Sequence, residues 1–62
     1  MSNIAKVFED RKNLGEWRVE WFDDHGRCEL EIFSGSDAHR QALRYAVRKY
    51  GHFREVQPGP QH

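Results

Sequence analysis

The sequence predicts a small α+β domain in which a three-stranded antiparallel sheet packs against one helix, in the order β-β-β-α. Apolar and charged residues alternate through the run EWRVEWFDDHGRCELEIF, residues 16–33, which is typical of two strands joined by a tight turn. Alanines then recur every fourth residue, as in a helix that lies close to a sheet. We assign residues 1–56 to this domain and residues 57–62, with the sequence QPGPQH, to a flexible C-terminal tail.

The strands follow from the alternation and from the turn residues between them. The first is expected over residues 4–9, and the connector 10–15 contains Asn and Gly, which favour turns. In the second strand Trp17, Val19 and Trp21 share one face. A four-residue loop over residues 23–26 would fix the register and make one face of the hairpin wholly apolar. The expected cross-strand pairs are Phe22 with Arg27, Trp21 with Cys28, Val19 with Leu30, and Trp17 with Ile32.

Residues 34–37 are expected to start the helix, and Tyr50 and Gly51 are expected to end it. The hydroxyl of either Ser34 or Ser36 is expected to cap its first turn, and Gly51 suits the left-handed conformation that follows a last turn. Three small residues form a low surface for the two indole rings: Ala38, Ala42 and Ala46. The segment 53–56 is either a fourth, edge strand or an extended tail, and the sequence leaves both open.

Composition narrows the class of protein. Ten Lys and Arg residues balance ten Asp and Glu residues, so no overall charge attracts nucleic acid or a membrane. Cys28 is the only cysteine, which excludes an internal disulfide, and the register above would bury it opposite Trp21. Early charged residues and the lack of a long apolar run lead us to expect a cytoplasmic protein.

Catalysis and metal binding are not expected. A core of this size leaves little room for a substrate pocket, so we expect no enzyme activity and no small-molecule substrate. The four histidines lack the i, i+4 spacing that directs two imidazoles at one ion, so we expect no metal and no other cofactor.

The charged face of the hairpin has two interpretations. In the expected register Arg18 lies opposite Glu31, and Glu20 lies opposite Glu29 in a repulsive pair, so a cation from Lys6 or Arg54 is expected nearby. The face is then either a solvated surface with internal ion pairs or a docking surface for a basic partner.

Arginines on the helix form a second candidate surface. Arg40, Arg44 and Arg48 repeat every four residues, which places three like charges side by side and weakens the helix slightly. They are either an ordinary solvated face or a binding surface for phosphates, for an acidic protein or for a second copy of the chain.

Two phenylalanines complete the candidate residues. Strict alternation sends Phe22 and Phe33 to the charged face, where they either cover the sheet edges or anchor a partner. The candidate binding residues are therefore Arg40, Arg44, Arg48, Arg18, Arg27, Phe22 and Phe33.

About half of the chain resembles a known domain type. The run GEWRVEWFDDHGRCELEIFSGSDAHRQALRYA is similar to the three-strands-then-helix domains of the AP2 type and of phage-integrase arm-binding modules. The resemblance implies a sheet face that lies in the DNA major groove, with contacts from Arg and aromatic side chains. Of the family's contact positions, only Arg18 and Arg27 match. The outward positions here hold four acids and two bases: Glu16, Arg18, Glu20, Arg27, Glu29 and Glu31.

These observations predict a non-catalytic interaction module that binds another macromolecule, with protein or a second copy of the chain favoured over nucleic acid and no membrane partner. The alternative is a nucleic-acid-binding domain that uses the arginine stripe of the helix.

Overall fold

The structure, a computed structural model, describes residues 4–56, so the tail predicted over residues 57–62 lies outside the described residues. The predicted α+β fold is confirmed: one helix packs against a sheet of three antiparallel strands and a short fourth strand. The elements are β1 (Ala5–Glu9), β2 (Trp17–Phe22), β3 (Cys28–Phe33), α1 (Ala38–Tyr50) and β4 (Phe53–Glu55). β4 pairs in parallel with β1, so the strand order is β3-β2-β1-β4.

The two ends of α1 differ in how well the sequence predicts them. Gly51 has a φ of 84°, and its N–H donates to the carbonyl of Val47 over 2.9 Å, so the predicted glycine terminus is confirmed. At the other end, the helix begins after Asp37 without a side-chain capping hydrogen bond. The Ala38 N–H donates instead to the Gly35 carbonyl over 3.1 Å, in a turn that replaces the cap. The predicted cap by either serine is wrong.

The core is thin and lies between the alanine face of α1 and the two central strands. Its fully buried members are Ala5, Val7, Val19, Ala38, Ala42 and Ala46. Trp17 and Trp21 are half-buried and pack against this cluster, so their predicted inward placement is confirmed. Their rings stack on two residues of α1, Trp17 on His39 and Trp21 on Tyr50. Because the largest fully buried side chains are valines, the two-layer domain holds few of the contacts that stabilise larger cores.

The register of the β2–β3 hairpin differs from the prediction by one residue. The observed pairs are Trp17 with Phe33, Arg18 with Ile32, Val19 with Glu31, Glu20 with Leu30, Trp21 with Glu29, and Phe22 with Cys28. The loop contains five residues, not four. The Asp23 N–H donates to the Arg27 carbonyl over 2.9 Å, and the Gly26 N–H donates to the Asp23 carbonyl over 3.0 Å. One extra residue in the loop turns every side chain of β3 to the opposite face.

Candidate functional site

The outer face is the side of the sheet that points away from α1, and β3 makes it apolar. Four side chains form what we call the outer patch: Phe22, Cys28, Leu30 and Ile32. Phe22 is 46% exposed, Leu30 is 45% exposed and Ile32 is 47% exposed. A solvated sheet face normally presents polar residues at alternate positions. The prediction that β3 presents glutamates outward is wrong, because Leu30 and Ile32 occupy those positions. The predicted inward placement of Cys28 is also wrong, because Cys28 is exposed.

Charged residues occupy the rest of the outer face. The sequence predicts a cation from Lys6 or Arg54 near Glu20, and Lys6 of β1 lies directly opposite Glu20 of β2. Arg54 lies beside Lys6 on β4. The predicted neighbours of Arg18 and Glu20 on β3 are replaced by Ile32 and Leu30. The outer face thus has an apolar side along β3 and a side of mixed charge toward β4.

Arg18 is held by acids of its own chain. Its guanidinium donates to Asp10 over 3.0 Å and to Glu16 over 3.2 Å. Hydrogen bonds from the Asn13 side chain and the Lys12 amide, with a smaller contribution from Arg18, lower the pKa of Asp10 below its usual value. Arg18 therefore fastens the β1–β2 connector to the sheet, although its buried Nε has no partner among the described residues.

Arg27 closes the hairpin loop. The Asp23 carboxylate accepts hydrogen bonds from the backbone amides of His25 and Arg27, each over 2.8 Å, and from Arg27 Nε over 3.0 Å. These donors, with the Arg27 amide contributing most, lower the pKa of Asp23. Arg27 is thus tied to the five-residue loop that sets the register.

The helix side of β3 receives an acid and an aromatic ring. Glu29 Oε1 accepts a hydrogen bond from the Tyr50 hydroxyl over 2.9 Å and lies 3.0 Å from Lys49 Nζ. These two partners, Lys49 first, lower the pKa of Glu29. Phe33 is half-buried and lies 5.5 Å from the Tyr45 ring, between centroids. The prediction that Phe33 faces outward is wrong, because Phe33 and Glu29 lie on the same side of β3 and that side faces the helix.

The predicted arginines of α1 form an exposed ridge. We call Arg40, Arg44 and Arg48 the arginine ridge. Within residues 4–56, none of the three side chains makes a hydrogen bond or an ion pair. The sequence of α1, AHRQALRYAVRKY, contains no acid that could neutralise them.

Shallow grooves lie on both sides of the arginine ridge. The helix groove, of about 500 Å³, is lined by Leu43, Arg44, Val47, Arg48 and Phe53. A second groove of about 460 Å³ is lined by Phe33, Gln41, Arg44, Tyr45 and Arg48. The floor of the helix groove is almost entirely apolar, and Val47 in it is 50% exposed.

An aromatic stack joins the start of α1 to the sheet. The His39 ring lies over the Trp17 indole at 3.9 Å between centroids, with planes inclined by 8°. His39 Nε2 is also 2.8 Å from Glu55 Oε2 on β4. The stack and the contact with Glu55 orient α1 across β2 and β4.

The structure separates the predicted binding residues into four groups. Phe22 lies in the outer patch, and the helical arginines lie together on the opposite side of the domain. Arg18 and Arg27 are engaged in ion pairs within the chain, and Phe33 packs inward. Sequence reasoning missed the exposure of Leu30 and Ile32. Asp23, the first residue of the hairpin loop, was the sequence signal that could have indicated the five-residue loop, because its carboxylate can bridge a longer turn.

Comparison with known proteins finds no matching family model, no matching curated protein and no matching solved structure. The resemblance to AP2-type and phage-integrase arm-binding domains stays a prediction. Within residues 4–56, no helix is long and apolar enough to cross a membrane. The same residues hold no group of three His, Cys, Asp or Glu side chains arranged to bind a metal ion.

Proposed function

We propose that this chain is a non-catalytic protein-interaction module, and that the outer face binds the same face of a second copy. The observation that carries the proposal is the exposure of Leu30 and Ile32, each close to half, on the open side of a two-layer domain. Apolar residues grouped on one surface of a small protein are typical of an interaction site.

The thin core supports this occupant, because a second layer against the outer face would bury apolar surface that the monomer leaves in water.

The charges favour a symmetric, face-to-face contact. Lys6 and Glu20 give the outer face both signs, so a two-fold axis can bring each near its opposite in the other copy. Pairing of β3 edges is disfavoured instead. A centred antiparallel register would place Glu31 opposite Glu31 or Glu29 of the other copy, and such charges on edge strands oppose pairing.

Sedimentation equilibrium over a wide concentration range tests the proposal. The wild-type chain should dimerise, and Ile32→Lys should remain monomeric because a buried ammonium group would lie in the interface. Leu14→Lys is the matched control. Leu14 is 80% exposed in the β1–β2 connector, so this variant gains the same charge away from the outer face and should dimerise like the wild type.

The alkylation rate of Cys28 provides a second measurement. Cys28 lies in the outer patch and is the only thiol, so its reaction with iodoacetamide should slow as the concentration rises and dimers form. A wild-type chain that stays monomeric at high concentration, with constant Cys28 reactivity, would overturn the proposal. Equal loss of dimer in both lysine variants would also contradict it.

A further inference from the structure

We infer that the helix groove, defined above by Leu43, Arg44, Val47, Arg48 and Phe53, binds an acidic amphipathic helix of a protein partner. This surface lies on the helix layer, on the opposite side of the domain from the outer patch. The inference therefore goes beyond the proposed dimer contact and does not depend on it.

Charge complementarity is the first argument. The chain has equal numbers of acidic and basic residues, yet most of its ion pairs lie in the loops and on the helix side of β3. Among the described residues, no acidic side chain forms an ion pair with the arginine ridge. A ligand that brings carboxylates would relieve the repulsion between Arg40, Arg44 and Arg48.

The spacing of the arginines indicates the conformation of the ligand. Arg44 and Arg48 are separated by four residues of α1, which is about 6 Å along the helix axis. Carboxylates at positions i and i+4 of a second helix have the same separation. A helix that lies along α1 would therefore place two acids against the two arginines.

The groove floor distinguishes a protein ligand from a nucleic acid. Between the arginine ridge and β4, the floor consists of Leu43, Val47 and Phe53. Aliphatic side chains on the apolar face of an amphipathic helix fit such a floor. Single-stranded nucleic acids stack their bases on exposed aromatic side chains. The one aromatic ring in this floor, Phe53, is half-buried, and the exposed part of the floor is the aliphatic Val47.

Fluorescence anisotropy with a designed probe tests the inference. The probe is a short fluorescein-labelled peptide with leucines at i, i+3, i+4 and i+7 and glutamates on both flanks. Three comparison ligands are a scrambled peptide of the same composition, a peptide with lysine at each glutamate position, and labelled single-stranded oligothymidylate. The acidic amphipathic peptide should bind more tightly than all three.

Matched variants locate the site. Arg48→Gln should weaken binding about threefold, since one partly exposed ion pair is lost. Val47→Ser should weaken it about fivefold through the loss of apolar contact in the groove. Arg11→Gln is the control, because Arg11 is an exposed residue of the β1–β2 connector and its loss changes the net charge equally. It should leave binding unchanged, and circular dichroism should confirm that each variant is folded.

Other results would overturn the inference. These are equal binding of the scrambled peptide, equal weakening by Arg11→Gln, or no binding of the acidic peptide at low salt. Tighter binding of oligothymidylate that is insensitive to Val47→Ser would assign the arginine ridge to nucleic acid instead. The monomeric Ile32→Lys variant should still bind the acidic peptide, so failure of the dimer proposal and failure of this inference are separable.

Discussion

Alanine substitutions at Val19 and Leu30 test the hairpin register on which the outer patch depends. Val19 is 1% exposed, and Val19→Ala removes two methyl groups from the core and leaves a cavity, at a cost of about 2 kcal/mol in the free energy of unfolding. Leu30 is 45% exposed and borders solvent, so Leu30→Ala removes more atoms but costs only about 1 kcal/mol. Val19→Ala should therefore lower the free energy of unfolding more than Leu30→Ala does, although valine is the smaller residue. A loss of 2 kcal/mol is large beside the ~3–9 kcal/mol expected of a chain of 62 residues.

Urea unfolding followed by tryptophan fluorescence measures both losses. The protein concentration must be low enough to keep the chain monomeric, because Leu30→Ala would otherwise also weaken the proposed dimer. In the alternative register, Leu30 would face Val19 inside the core, and its truncation would cost ~2–5 kcal/mol. A loss for Leu30→Ala equal to or greater than that for Val19→Ala would refute the observed register and, with it, the outer patch.

Two further predictions concern pH. The pKa of the Asp23 carboxyl is lowered from 3.8, mainly by the Arg27 amide, so its contribution to stability is present at neutral pH and is lost as the pH falls below about 4 through the lowered pKa. The urea midpoints of wild type and Asp23→Asn should differ at neutral pH and converge in acid, and a constant difference would contradict this. Burial, followed by the hydrogen bond to Glu29, raises the pKa of Tyr50 from 10.0 to about 12, so its stabilising effect is complete below pH 10 and is lost as the pH approaches 12. In ultraviolet absorbance titrations, Tyr50→Phe should remove a phenol transition close to pH 12. Loss of a transition close to pH 10 would show that Tyr50 titrates normally.

The sequence was sufficient for β1, β2, β3 and α1 and for the inward face of β2. Trp17, Val19 and Trp21 alternate with charged residues, and the alanines of α1 complement their rings, so local pattern and packing favour the same answer. The end of α1 was equally predictable, because glycine can adopt the positive φ required after a last helical turn.

The phase of β3 was not predictable from alternation alone. The alternation within β3 is the same in both registers, which differ only in the face that each residue takes, and a loop of four or five residues decides between them. The decision rests on one loop residue and on two side chains distant in sequence. Asp23 closes the longer loop, while Lys49 and Tyr50 provide partners that allow Glu29 to face the helix. The helix groove could not be predicted, because Phe53 contributes to its floor only if β4 joins the sheet, and the sequence leaves that open.

The parallel pairing of β4 with β1 affects the order in which the domain can assemble. Ala5 pairs with Phe53, so a strand from the start of the domain completes its hydrogen bonds only with one from the end. Contacts so distant in sequence form slowly compared with hairpins and helices. During synthesis on the ribosome, β1 must therefore keep one edge unpaired until β4 has left the exit tunnel, and in this interval that edge can pair with a strand of a neighbouring chain.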